Sequence, residues 1–160
     1  MTKRVGILTA GSDSPGVNAA IRGFGKAVIN NYGMELIGFR DGFEGLVEDH
    51  TMDLQAETAL SGILTRGGTI LGTSLIMPQA MPSASGALAD RSEEAIATYQ
   101  RHHLDALLVI GDRKAQAAAF ALSQMGLNII TIPKAAENDI PETDKSIGYD
   151  SAREIATEAI

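Results

Sequence analysis

The sequence predicts a three-layer α/β fold in which a mainly parallel β-sheet is covered by helices on both faces. Two patterns indicate this fold class. Short, mainly apolar runs, such as residues 5–9 and 104–110, have the length of strands that are buried on both faces. Segments with apolar residues at helical spacing alternate with these runs along the chain. Alternating strands and helices build a parallel sheet, because each helix carries the chain back to start the next strand.

The first strand–helix–strand unit covers residues 5–39. Strands are expected at 5–9 and 34–39, and residues 31–33 are expected to end the helix between them. The helix is expected over residues 16–30, because its apolar residues share one face: Val17, Ala20, Ile21, Phe24, Ala27 and Val28. Such units cross over with a right-handed sense in nearly all known proteins. Their repetition predicts a Rossmann-like arrangement.

The same alternation returns after residue 90. Asp90 to Glu93 has the form of a capping box ahead of a helix. A buried strand over residues 104–110 then ends at Gly111. Between residues 43 and 82 the periodicity is weak, and the glycines there predict short elements and tight turns.

The last third of the chain continues the pattern. An alanine-rich helix is expected to end at Gly126, because glycine is the usual residue after a helix. A strand follows at 128–133. Asp150 is expected to cap a final helix over residues 151–160.

Composition excludes several classes of function. The chain has 160 residues, the size of one domain, and a net charge of −7, which argues against nucleic-acid and anionic-membrane partners. It has no cysteine, so disulfides and thiolate metal sites are excluded. No apolar stretch has the length of a membrane helix, and a strand pattern begins at once after Met1, leaving no room for a signal peptide. We therefore expect a cytoplasmic protein.

Three loops are candidates for a ligand site. They are residues 11–16 (GSDSPG), 64–74 (LTRGGTILGTS) and 133–139 (PKAAEND). In open parallel sheets, ligands bind beyond the carboxyl ends of the strands, where such loops lie. A glycine-rich loop is weak support for a ligand by itself, because tight turns require glycine in any case.

Together with residues 38–43 (GFRDGF) and 148–150 (GYD), these loops resemble the phosphofructokinases, and the similarity covers residues 3–160. The resemblance implies two similar α/β lobes, of which this chain corresponds to the first. It also implies transfer of a phosphoryl group from ATP or pyrophosphate to fructose 6-phosphate, which depends on Mg²⁺ and on positioning.

The resemblance further implies the roles of individual residues. Glu137 and Asp139 occupy the positions of catalytic carboxylates, and Asp139 is also the candidate metal ligand. The positions expected to bind the phosphoryl donor are Gly11, Ser12, Asp13, Gly72, Leu75, Gly111, Asp112, Arg113, Lys134 and Asn138.

Several of these positions depart from the family pattern. Ser12 replaces a glycine, which costs about 1–2 kcal/mol if the backbone φ there must be positive. Leu75 replaces an arginine that contacts donor phosphates, a loss of about 1.5–3 kcal/mol of binding. Glu137 replaces an aspartate and moves the carboxylate outward by about 1.5 Å, and a misplacement of about 1 Å can cost a hundredfold in rate.

The loop after Gly111 departs most. Its small phosphate-binding residues are replaced by Asp112, Arg113 and Lys114, and we expect Asp112 to cap the following helix itself. Arg113 stands where ATP-using members place a magnesium-binding aspartate. Arg113 and Lys114 are either solvated charges or side-chain ligands of phosphate. A lysine at position 134 resembles the pattern of the pyrophosphate-using and related members more than that of the common ATP-using type.

An apolar run, comprising Leu75, Ile76, Met77 and Met81, replaces polar family positions beside the expected cleft. Core packing explains any one of them, but the group favours a contact surface for a protein partner or a second copy of the chain.

The first hypothesis is therefore a non-catalytic, truncated or redesigned lobe that binds no cofactor and associates through the former cleft. The family's second lobe has no counterpart in these 160 residues, which also argues against catalysis by this chain alone. The second hypothesis is an enzyme fragment that binds Mg²⁺ with ATP or pyrophosphate once a second lobe completes it. The sequence does not separate natural divergence from engineering, or ATP from pyrophosphate.

Overall fold

The computed structural model describes residues 2–56, 58–83 and 85–160. Its strands, numbered along the chain, are β1 (Arg4–Ala10), β2 (Glu35–Phe39), β3 (Thr51–Asp53), β4 (Met81–Pro82), β5 (Leu88–Ala89), β6 (Ala106–Gly111) and β7 (Ile129–Pro133). Five of them form one sheet with the order β3-β2-β1-β6-β7, and β4 and β5 form a small antiparallel hairpin. Within the large sheet only β3 runs antiparallel to its neighbour. The predicted, mainly parallel α/β fold is confirmed.

Helices cover both faces of this sheet. They are α1 (Val17–Lys26), α2 (Phe43–Val47), α3 (Ser92–Arg101), α4 (Arg113–Gln124) and α5 (Tyr149–Glu158). The side chains of β6 alternate between two apolar clusters: Leu107 and Val109 join one that contains residues of α2, α3 and α4. Leu108 and Ile110 join the other, which contains residues of α1. This alternation explains why residues 106–110, which lie in β6, are all apolar.

Short elements, among them α2 and β3, lie in the region where the sequence pattern is weak. Helix α2 packs Phe43 and Leu46 into the first cluster, and β3 extends the sheet beyond β2. The loop after β3 returns over the other face and buries Leu54, Leu60 and Leu71. Helix α5 contributes no buried residue. None of the helices in the three described ranges has both the length and the apolarity to cross a membrane.

Three helix ends differ from the predictions. After α1 the chain makes a π-helical turn, Ala27–Asn31, before β2. The prediction of a capping box at α3 is wrong. Asp90 Oδ1 accepts a hydrogen bond from the Ser92 N–H at 2.9 Å, but within the described ranges the Glu93 side chain makes no hydrogen bond back to the start of the helix. The prediction that Asp150 caps α5 is also wrong.

Helix α5 begins at Tyr149, two residues before the start at 151 that a cap by Asp150 requires, and its N-cap is Gly148 in a left-handed conformation. The side chain of Asp150 instead pairs with Lys145 at 3.0 Å and with Arg153 at 3.5 Å. A Cβ on Gly148 would overlap the Ser14 hydroxyl, so close packing against the first loop requires glycine at the cap.

Candidate functional site

The candidate site lies where β1, β6 and β7 end together. The register pairs Ala10 with Gly111 and Gly111 with Pro133, so that three loops leave the sheet side by side. These loops begin at Gly11, Asp112 and Lys134. The predicted convergence of the first and third candidate loops is therefore present, together with the start of α4.

The first loop has its backbone groups bonded within the chain. The Gly11 N–H donates to the Ser74 carbonyl at 2.8 Å, and the Gly11 carbonyl accepts from Thr73 Oγ1 at 2.6 Å. The Ser12 N–H donates to Asp112 Oδ2 at 3.3 Å. The positive φ of this turn, +89°, falls on Gly11 and not on Ser12, so the strain considered for Ser12 does not arise.

Asp112 binds the start of α4 and the first loop with one carboxylate. Its Oδ1 accepts from the Ala115 N–H at 3.0 Å, which confirms the predicted capping role. Its Oδ2 accepts from Ser12, and a Cβ on Gly11 would overlap the carboxylate. The carboxylate therefore takes two backbone donors that an oxyanion would otherwise accept from.

Lys134 is the only lysine or arginine among the buried polar residues of the described ranges, with 1% of its surface exposed. Its Nζ donates to the Ser12 carbonyl. Burial lowers the pKa of the Lys134 ammonium, and the negative charges of Asp112 and Asp13 offset only part of that shift. Asp13 itself is exposed at the rim of the first loop.

The third loop places its polar residues differently from the predictions. Glu137 and Asp139 are both exposed. Asn138 has a left-handed backbone, and its side chain binds the loop itself: Nδ2 donates to the Asp144 carbonyl, and Oδ1 accepts from the Ser146 N–H at 2.7 Å. A role for Asn138 in binding the phosphoryl donor is therefore not supported, because its side-chain amide is bonded within the loop.

No group of three or more His, Asp or Glu side chains suited to a metal ion occurs within residues 2–56, 58–83 and 85–160. Asp139, the candidate metal ligand, accordingly belongs to no such group in that part of the chain. Arg113 and Lys114 are exposed at the first turn of α4 and form no ion pair there with a described residue.

The apolar run beside the cleft divides into surface and core. Leu75 is 67% exposed, whereas Met81 is 4% exposed and belongs to the first apolar cluster. The prediction that Met81 faces a partner is therefore wrong, because the β4 strand points it inward. Ile76 and Met77 are half-buried and pack against the same cluster.

A shallow groove of about 340 Å³ runs between this segment and α4. Its lining is mostly apolar and consists of Met77, Gln79, Lys114, Ala117, Ala118 and Ala121. Alanine on α4 keeps the groove open, since larger side chains there would fill it.

Two further residues have structural roles. Gly72 has a φ of +70° and lies against the Asp41 carboxylate, so glycine is required there by geometry. Asn18 is buried and binds the second loop: its Nδ2 donates to the Arg66 carbonyl at 3.0 Å, and its Oδ1 accepts from the Ile70 N–H at 2.8 Å. Arg22 lines a separate cavity with Lys26, beside the far end of α1.

Sequence reasoning missed Thr73 and Ser74 as the residues that bind Gly11. Their position directly after Gly72, in a loop already singled out, was the available signal. It did not indicate that the partner would be the backbone of another loop.

Comparison with known proteins agrees with this geometry. A sequence model of the family described as Phosphofructokinase matches residues 4–160. An ATP-dependent 6-phosphofructokinase of Propionibacterium freudenreichii subsp. shermanii is 51% identical over 160 residues, which are 100% of this chain and 42% of that protein. One from Spirochaeta thermophila is 46% identical over 162 residues, covering 99% of this chain and 44% of that protein.

Among solved structures, the phosphofructokinase of Saccharomyces cerevisiae superposes with a TM-score of 0.83 at 25% identity, covering 99% of this chain and 23% of that one. A pyrophosphate-dependent phosphofructokinase from Marinobacter aquaeolei superposes with a TM-score of 0.79 at 22% identity, over 98% of this chain and 40% of that one, which shows likeness of fold alone. The chain spans less than half the length of these relatives.

Proposed function

Because this chain belongs to the phosphofructokinase family, we propose that it is an amino-terminal lobe that binds no phosphoryl donor in this form and acts as a non-catalytic association module. Residues 1–160 would form one domain. Its partner would be a second copy of the chain or another protein, bound through the apolar surface beside the former cleft.

The observation that carries the proposal is the internal bonding of the first loop. The Gly11 and Ser12 N–H groups donate to the Ser74 carbonyl and to the Asp112 carboxylate. A loop that holds phosphate presents such N–H groups to the ligand. An incoming phosphate would have to displace both acceptors, and one of them carries the same charge as the ligand.

The association surface is supported by what replaces the lost phosphate contacts. Leu75 stands exposed at the position of the family's arginine, and the groove beside it is lined mostly by methionine and alanine. When a partner covers exposed apolar area of this kind, its removal from water favours binding.

Calorimetric titration with ATP and with pyrophosphate, each with Mg²⁺, tests the first half of the proposal. We expect dissociation constants in the millimolar range or weaker, because the donor contacts are missing or occupied. The Propionibacterium freudenreichii relative, titrated under the same conditions, is the positive control. Micromolar binding by this chain would overturn the proposal.

One observation favours the alternative, a fragment that becomes active when a second lobe completes it. Lys134 stays buried beneath the first loop, and Gly11, Asp13 and Asp139 keep the family's residue types. In that case Mg²⁺ with ATP or pyrophosphate would bind here, and Glu137 and Asp139 would act on fructose 6-phosphate. Co-expression with the carboxyl-terminal part of the Propionibacterium freudenreichii relative, followed by an assay of fructose 6-phosphate phosphorylation, separates the two: activity supports the alternative.

A further inference from the structure

The outward face of α4 is uncharged and carries one large exposed side chain. Phe120 is 66% exposed, although the inner face of the same helix packs into the first apolar cluster. After Lys114 the other exposed residues of α4 are Ala117 and Gln124, and residues 115–133 include no charged side chain. An exposed aromatic ring on an uncharged face is unusual in a chain with a net charge of −7, and it indicates a protein contact.

A groove lies along each flank of this face. The groove of about 340 Å³ described above separates α4 from Met77. On the other flank, a groove of about 300 Å³ separates α4 from β7, and we call it the α4–β7 groove. It is lined by Gln116, Ala119, Phe120, Ser123, Ile129 and Thr131. Ala117 is exposed on the ridge between the two grooves, where its small side chain lets a second helix approach closely.

The face is complementary to a second copy of itself. In an antiparallel pair of α4 helices with a two-fold axis near Ala117, Phe120 of each copy lies over the α4–β7 groove of the other. The same pairing brings Arg113 and Lys114, the only charged residues of α4, to the carboxyl end of the partner's helix, where the helix dipole favours positive charge. Because α4 contributes no carboxylate, two acidic chains can meet at this helix without opposing negative charges on it.

We propose that α4 is the centre of a two-fold symmetric contact between two copies of this chain, in which Phe120 of each copy packs into the α4–β7 groove of the other. The inference rests on the proposed function and names the partner of its association surface, which then extends from Leu75 across α4 to Phe120. A buried aromatic side chain near the centre of a contact is the kind of residue that contributes most to its stability.

Replacing Phe120 by Ala tests this contact. Phe120 is exposed and alanine is the best helix former, so α4 is expected to persist, which circular dichroism checks. The variant should raise the dissociation constant of the dimer roughly tenfold or more in sedimentation equilibrium, as loss of a central aromatic residue does. Tyr32→Ala is the matched control, because Tyr32 is 70% exposed and lies after α1, away from α4. It should leave the dissociation constant unchanged.

The absence of cysteine allows a direct test of the two-fold arrangement. An Ala117→Cys variant carries a single thiol, and in the antiparallel pair the two copies of residue 117 lie about 10 Å apart, close to the usual separation of packed helices. A short bis-maleimide should therefore link two chains into a covalent dimer on a denaturing gel. Ala97→Cys, at an exposed position of α3, is the matched control and should remain a single chain.

The outcomes separate this inference from the proposed function. A wild-type dimer that dissociates in Leu75→Glu but not in Phe120→Ala overturns the inference and leaves the association surface at Leu75 standing. Equal cross-linking of Ala117→Cys and Ala97→Cys, or none in Ala117→Cys at a concentration where the wild type is dimeric, also overturns the inference alone. A monomeric wild type overturns the association half of the proposed function and the inference together.

Discussion

Among single residues, Gly11 is the one whose backbone conformation constrains the site most. Its φ of +89° lies in the left-handed region, and a Cβ there would overlap the Asp112 carboxylate. Gly11→Ala is therefore expected to lower the free energy of unfolding by about 1–2 kcal/mol for the left-handed conformation alone, with the overlap adding to it. Urea unfolding followed by circular dichroism measures the change.

Gly23 provides the matched control. It lies inside α1, and a Cβ added to it would meet nothing within 4 Å. Gly23→Ala should raise the free energy of unfolding by about 0.5–1 kcal/mol, because alanine loses less backbone entropy in a helix. If Gly11→Ala were as stable as the wild type while Gly23→Ala behaved as expected, the conformation assigned to Gly11 would be contradicted.

Local chemistry decided which site residues could be predicted. The capping role of Asp112 follows from its place directly before a helix, and the structure has that bond. The role of Asn138 could not be predicted, because its amide binds residues 144 and 146, and only the folded loop brings them near. Met81 was misplaced for a similar reason: whether an apolar residue faces the core or a partner depends on a strand too short for its periodicity to show.

At the scale of elements, the end of α3 is held to the turn before β3 by an ionic contact. Asp49 bonds His102 Nε2 at 2.5 Å and Arg101 Nη1 at 2.6 Å. Burial raises the pKa of the Asp49 carboxyl, but the hydrogen bonds from His102 and Arg101 together outweigh it, so the net pKa is lowered below 3.8. A lowered folded pKa stabilises the protein above the unfolded pKa, and this stability is lost as the pH falls through the folded pKa.

The Asp49→Asn variant removes this dependence of stability on pH. At roughly pH 5 it should be less stable than the wild type by on the order of 1 kcal/mol or less, and the difference should shrink toward roughly pH 3. Thermal unfolding at several pH values measures this. Glu93→Gln, on the exposed face of α3, is the control, and its difference from the wild type should change less. A difference for Asp49→Asn that stays constant down to pH 3 would contradict the contact.

Elements with clear periodicity were predicted well, and the others were not. The strands β1, β6 and β7 and the helices α1 and α4 follow from apolar runs and stripes long enough to show a period. Strand β3 has three residues, two of them exposed, and so carries no alternation that distinguishes it from a loop. The π-helical turn after α1 was also not foreseen, since a helical stripe continues through it to Val28.

At the scale of the whole molecule, the exposed apolar surface favours self-association and the net charge opposes it. The net charge of −7 opposes self-association, although salt at physiological strength screens repulsion beyond about 8 Å. Burial of apolar area contributes about 25 cal/mol per Å², so a surface that includes Leu75 and the groove on α4 can offset screened repulsion. Association through the former cleft therefore predicts a dimer or larger species in gel filtration at moderate salt.

Leu75→Glu tests where that association occurs. Leu75 is 67% exposed, so the substitution leaves the core intact, but it places an eighth net negative charge in the proposed contact. Burying an unpaired carboxylate is strongly unfavourable, so the variant should elute as a monomer. Leu64→Glu makes the same change at a residue that is 56% exposed on the segment covering the opposite face of the sheet. It should keep the elution volume of the wild type, because it adds the same charge outside the proposed contact. A monomeric wild type, or two variants that dissociate equally, would place any association elsewhere and remove the support for a cleft converted into a contact surface.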